Sequence, residues 1–84
     1  MIVKVNKKEW DVNDCTYKQR RELHKLNALA WQGGEMNIDK YYDLLERVGE
    51  ISGLGEADFD GLGMIEIDGI LQTIFIEYQG LSKK

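Results

Sequence analysis

The chain has no proline, one cysteine, Cys15, and one histidine, His24. A single cysteine excludes a disulfide within the chain, and one Cys with one His cannot supply the usual four-ligand zinc site. No stretch approaches the roughly 18 to 20 apolar residues of a membrane span, and the first ten residues, MIVKVNKKEW, lack the apolar run of a signal peptide. We therefore expect a protein of a reducing compartment, the cytoplasm, with no membrane segment and no cofactor.

Charged residues of both signs are present, but they are distributed unevenly. The net charge is −4 at pH 7. Residues 1–42 carry eight basic and six acidic side chains, whereas residues 43–84 carry three basic and nine acidic ones, and two of those three bases are Lys83 and Lys84. This asymmetry favours head-to-tail contacts between copies or a partner of opposite charge, although a solvated surface is its commoner explanation.

Length and hydrophobic patterning predict one small domain, residues 1–84, of the α+β class and mainly helical. A domain with 84 residues and 43% hydrophobic content buries only about 60 to 65% of its unfolded surface, so self-association is expected to add stability. Alternating apolar residues predict a β-hairpin over residues 1–13, with strands 2–5 and 9–12 joined by Asn6, Lys7 and Lys8, of which Asn6 is expected to be the turn residue. The residues expected on its inner face are Val3, Val5, Trp10 and Val12.

Three α-helices are predicted after the hairpin, over residues 16–32, 37–53 and 64–80. Thr16 and Gln19 have the spacing of a capping box, in which each side chain binds the other's free backbone amide. Asn37 is expected to cap the second helix, and glycines stand where each helix should end. The apolar residues expected to face the core are Leu23, Leu26, Leu29 and Ala30; then Ile38, Tyr41, Tyr42, Leu45 and Val48; then Ile67, Ile70, Leu71, Ile74, Phe75 and Tyr78.

The sequence DFDGLGMIEID, at residues 58–68, has some features of a calcium-binding loop. Such a loop needs oxygen ligands at positions 1, 3, 5 and 12 and a glycine at position 6. With Gly61 at position 6, position 12 is Ile67; with Gly63 at position 6, position 12 is Gly69. Because both registers lack the twelfth ligand, we predict no metal site and interpret the segment as an acidic turn before the third helix.

The third helix has a second apolar face. At 100° per residue, Ile65 and Ile76 project away from the core-facing residues, with Gly69 between them. A glycine inside a helix costs about 1 kcal/mol relative to alanine, so its position between two isoleucines indicates close approach by another helix. We therefore predict self-association through Ile65, Gly69 and Ile76. The alternative is a fold that buries this helix on both sides.

No group of residues in the sequence predicts catalysis. Paired carboxylates such as Asp58 and Asp60 need a cleft and a shifted pKa before they can act as acid and base. Cys15 and His24 could meet only if the segment before the first helix folded back. The glycine-rich strings do not match phosphate-loop spacing. We therefore expect a protein that is not an enzyme and has no catalytic residue.

The first helix is strongly basic and has aromatic residues near its ends. Contact with nucleic acid would need a positive field over the surface, and the acidic second half opposes it. We expect the exposed face with Lys18, Arg21 and Lys25 to bind an acidic protein partner instead.

The segments of the chain follow one another in a suggestive order. A hairpin over residues 3–12 is followed by TYKQRREL at residues 16–23, and the last helix reads ILQTIFIEY at residues 70–78. In this layout the chain resembles the small tail assembly chaperones of tailed bacteriophages. The resemblance implies a non-enzymatic protein of the infected cell, which associates with itself and holds the tape-measure protein until the tail tube polymerises around it. It implies no catalytic residue.

Two other functions fit the same sequence. A host-directed inhibitor or nucleic-acid mimic would use the acidic second half against a basic target, would be monomeric or dimeric, and would bind in a salt-sensitive way. A minor structural protein of the virion is the third possibility. The acidic residues available to a mimic are Glu50, Glu56, Asp58, Asp60, Glu66 and Asp68.

Overall fold

A computed structural model describes residues 1–80; Lys83 and Lys84, counted above, lie outside the described residues. The elements in chain order are strands β1 (Ile2–Val5) and β2 (Lys8–Asp11), then helices α1 (Tyr17–Ala30), α2 (Ile38–Ser52) and α3 (Met64–Gln79). One-turn 3-10 helices, Gln32–Gly34 and Glu56–Phe59, precede α2 and α3. The predicted α+β class, a hairpin followed by three helices, is confirmed.

The hairpin has a shorter loop than the sequence indicates. Asn6 and Lys7 alone join the strands, with φ angles of 52° and 69°. Two residues with positive φ match the right-handed twist of paired strands. The second strand therefore begins at Lys8, one residue earlier than predicted. Val3 pairs with Trp10 across the sheet, and both side chains are buried as expected.

The capping box predicted for α1 is confirmed. The Gln19 amide donates to Thr16 Oγ1 at 3.1 Å, and the Thr16 amide donates to Gln19 Oε1 at 2.9 Å. Leu23 and Ala30 are fully buried, but Leu29, predicted beside them, is 43% exposed. That part of the prediction is wrong because the neighbouring helices cover a narrower face of α1 than the apolar residues occupy.

Helix α2 is capped by Asn37, whose side chain accepts from the Lys40 amide at 3.1 Å. The predicted core face of this helix is partly wrong, since Ile38 and Tyr42 are exposed. The buried face keeps Leu45 and Val48 but includes Leu44 in place of Ile38 and Tyr42. The α2 residues that are buried are Leu44, Leu45, Val48, Ile51 and Ser52.

Helix α3 packs against β1, α1 and α2 and supplies the centre of the core. Ile70, Leu71, Ile74 and Tyr78 are buried as the sequence predicts. Tyr78 is 2% exposed, and its hydroxyl donates to the carbonyl oxygen of Asn13 at 2.6 Å. Burial raises the pKa of Tyr78 to about 12, and negative charge at Cys15 and Asp14 adds to the effect.

The α1 helix reaches the same turn of α3. Arg20 Nε donates to the carbonyl oxygen of Tyr78 at 2.7 Å, and Gln79 Nε2 donates to the carbonyl oxygen of Arg20 at 3.3 Å. Carbonyl oxygens in the last turn of a helix accept no hydrogen bond within the helix. The Arg20 guanidinium donates a hydrogen bond to one of them. The segment after the hairpin, α1 and α3 are thereby joined at one point.

The raised pKa of Tyr78 predicts a loss of stability in alkali. The pKa is about 12 in the folded chain and about 10 in the unfolded one. The stability that the protonated Tyr78 hydroxyl contributes to the fold is therefore complete below pH 10 and is lost as the pH rises through 12. The expected decrease in the free energy of unfolding is roughly 2 kcal/mol by pH 12. Tyr78→Phe should be less stable at pH 7 but should lose less between pH 10 and 12. The measurement is urea unfolding of both proteins at each pH. If their free energies of unfolding fell in parallel between pH 10 and 12, the prediction would be contradicted.

Two glycine substitutions are expected to change stability in opposite directions. A Cβ on Gly69, inside α3, meets no atom within 4 Å, so Gly69→Ala should raise the free energy of unfolding by about 1 kcal/mol. Gly53 ends α2 with a φ of 84°, and its Cβ would lie 2.8 Å from Asn13 Nδ2. Gly53→Ala should therefore cost about 1 to 2 kcal/mol. Urea unfolding of dilute protein measures both, and shifts of the same sign would refute the account.

Candidate functional site

The predicted partner-binding residues, Lys18, Arg21 and Lys25, are all exposed on α1. They border one shallow depression of about 530 Å³, here called the α1 groove. Four residues at helical spacing run along it, and in the part of the chain that the structure describes only α1 contributes to its lining. The lining residues are Tyr17, Lys18, Arg21, Glu22, Lys25, Leu26 and Leu29.

The α1 groove combines apolar and basic surface. Tyr17 is 69% exposed at one end and Leu29 is exposed at the other. The Arg21 guanidinium lies 5.7 Å from the centre of the Tyr17 ring, a distance at which a cation is attracted to the ring face. Aromatic and arginine side chains together are typical of the residues that contribute most to protein interfaces.

The one carboxylate of the α1 groove is already engaged. Glu22 accepts from Arg47 Nε at 2.9 Å and from Arg47 Nη2 at 3.2 Å, which makes a two-point ion pair between α1 and α2. Arg47 also binds Glu50 at 3.3 Å. The hydrogen bond to Glu22 raises the pKa of Arg47 above its usual value. The negative charge of Glu22 is thus paired with Arg47 on α2.

The three groove cations have no such neutralising contact. Within residues 1–80, no carboxylate forms an ion pair with Lys18, Arg21 or Lys25. Arg20, the remaining arginine of α1, is also exposed, but its Nε donates to the carbonyl oxygen of Tyr78. Of the four Lys and Arg side chains of α1, the other three border the apolar surface of the groove.

The predicted self-association residues lie on the outward side of α3. Ile65 is 85% exposed and Ile76 is 41% exposed. Open space lies beyond Gly69, where an added Cβ would touch nothing. The alternative of a helix buried on both sides is therefore wrong for Ile65. We call the line through Ile65, Gly69, Gln72 and Ile76 the α3 stripe.

A second, smaller depression of about 190 Å³ lies where α1, α2 and α3 meet. Trp31, which is half exposed, and Phe75 border it with Ile76. Tyr41 also lines it, and its hydroxyl oxygen is buried without a hydrogen bond to any residue of 1–80. Burial raises the pKa of Tyr41, with Asp68 adding to the effect. The sequence did not predict this second depression, since Trp31, which borders it, follows the last turn of α1.

The acidic turn before α3 uses its carboxylates locally. Asp58 accepts from the Gly55 amide at 2.8 Å, and Glu66 accepts from the Gly63 amide at 3.3 Å. Both carboxylates thereby begin a helix. In the part of the chain that the structure describes, no three His, Cys, Asp or Glu side chains are placed to hold a metal ion.

Cys15 is half-buried, and burial raises the pKa of its thiol, which keeps it protonated near neutral pH. A protonated thiol is a poor nucleophile. Among residues 1–80, no helix has both the length and the apolar character needed to cross a bilayer.

Compared with models of protein families, with curated proteins and with solved structures, the chain gives no match. The α1 groove and the α3 stripe are therefore the features of the molecule that bear on its function.

Proposed function

We propose that this protein is a non-enzymatic assembly factor that binds another protein through the α1 groove. The observation that carries the proposal is the exposed set of Lys18, Arg21 and Lys25 beside apolar surface, with the charge of Glu22 paired with Arg47. A groove with this composition suits an amphipathic helix that carries acidic residues beside its apolar ones. The chain therefore recognises an acidic, partly apolar segment of its partner.

The resemblance to phage tail assembly chaperones supplies the class of partner. In that interpretation the partner is a tail component, the tape-measure protein, which this chain keeps soluble in the host cytoplasm during tail morphogenesis. An exposed groove of apolar and basic residues supports a holding function, because it can cover apolar partner surface that would otherwise aggregate.

Co-expression with the tape-measure protein of the same genome tests this function. The intact chain should keep that protein in the soluble fraction and co-purify with it. The variant Lys18→Glu/Arg21→Glu/Lys25→Glu should weaken binding about tenfold or more, because each groove cation becomes a like charge to the partner.

A matched control separates the α1 groove from net charge. The variant Lys4→Glu/Lys7→Glu/Lys40→Glu changes the charge by the same amount at exposed positions outside the groove, and it should bind like the intact chain. Equal losses in both variants would refute the groove as the contact surface. No solubilisation by the intact chain would refute the chaperone function.

The acidic inhibitor is the second candidate, because one observation favours it. The acidic side chains of α2 and of the turn before α3 are largely exposed. A basic protein target would bind this surface with strong salt dependence, and its binding would be unaffected by charge reversal in the α1 groove. The exposed acidic residues are Asp39, Asp43, Glu46, Glu50, Glu56, Asp58, Asp60 and Glu66.

A further inference from the structure

The α3 stripe and the α1 groove have matching dimensions. Tyr17 and Leu29 are twelve residues apart on α1, which at a rise of 1.5 Å per residue is about 18 Å. Ile65 and Ile76 are eleven residues apart on α3, which is about 17 Å. Each surface therefore presents two exposed apolar side chains at nearly the same separation.

The central part of each surface is also complementary in size. The centre of the α1 groove holds the long side chains of Arg21 and Lys25. The centre of the α3 stripe is Gly69, beyond which there is open space. A helix without a side chain at this point allows the other helix and its long side chains to approach closely.

The two surfaces are opposite in charge. Glu66 and Asp68 flank the α3 stripe, one on each side, since they lie about 90° and 70° around the helix from its centre. The three cations of the α1 groove form no ion pair within residues 1–80. Pairing α3 with α3 would bring carboxylates together, and pairing α1 with α1 would bring cations together. Only the pairing of α1 with α3 gives opposite charges.

From these observations we infer that the α1 groove of one copy binds the α3 stripe of a second copy. Within residues 1–80 only α1 lines the groove, so the α3 of the same chain does not occupy it. The contact is head-to-tail, so each pair leaves one groove and one stripe free, and association continues to a closed ring or an open chain. The inference deepens the proposed function: the α3 stripe occupies the groove until an acidic amphipathic partner helix displaces it.

A mixing experiment with two variants of the full chain tests this arrangement. The groove variant is Lys18→Glu/Arg21→Glu/Lys25→Glu, and the stripe variant is Ile65→Lys/Gly69→Lys, whose new cations oppose the groove. All five positions have room for the new side chain in the single chain. Circular dichroism and urea unfolding check that both variants fold.

The expected result is specific to a head-to-tail contact. The intact chain should form oligomers whose dissociation constant rises at least tenfold between about 0.05 and 0.5 M salt. Each variant alone should be monomeric in analytical ultracentrifugation. An equal mixture should form a one-to-one heterodimer and nothing larger, because one native groove and one native stripe remain. The variant Lys4→Glu/Lys7→Glu/Lys40→Glu should still form oligomers.

Three outcomes would overturn the inference. A groove variant that still dimerises alone would show a symmetric α3 contact, and a mixture that remains monomeric would show that the groove and stripe do not meet. An intact chain that is monomeric up to about 1 mM, a concentration at which a contact with a millimolar dissociation constant is half formed, would exclude self-association. In that last case, continued solubilisation of the tape-measure protein would leave the proposed function standing.

Discussion

The hydrogen bonds around Tyr78 are the interaction on which the rest of the structure depends. The buried hydroxyl binds the carbonyl oxygen of Asn13, and the backbone carbonyl of the same residue accepts from Arg20. A small domain buries a limited core, so a point where the hairpin exit, α1 and α3 meet contributes more to its stability than any surface contact. These bonds also fix the rotation of α1 about its own axis.

That rotation determines which charges face outward. Arg20 binds the end of α3, and Glu22 binds Arg47 on α2. Lys18, Arg21 and Lys25 border the α1 groove, which within residues 1–80 is lined by α1 alone. Although the sequence of α1 carries charges of both signs, the face of α1 that lines the groove is basic and apolar. The binding surface follows from the internal contacts of α1 as much as from its composition.

Local signals in the sequence were sufficient for the elements and for much of the core. The Thr16 capping box, Asn37 and the apolar spacing of α3 each depend on residues within a few positions of one another. Leu29 and Ile38 were placed wrongly, because helical periodicity does not tell how far a neighbouring helix extends. The charge of the α1 groove could be predicted only in part, since the Arg20 contact spans 58 residues and the Glu22 contact 25.

Hydrogen exchange of the chain in complex with the tape-measure protein, followed by mass spectrometry, tests the central claim most directly. If the outer face of α1 is the contact surface, backbone amides over residues 17–29 should exchange more slowly in the complex than in the dilute free chain, and those of the hairpin should be unchanged. Slower exchange confined to the acidic segment of residues 56–68, with α1 unaffected, would contradict the account.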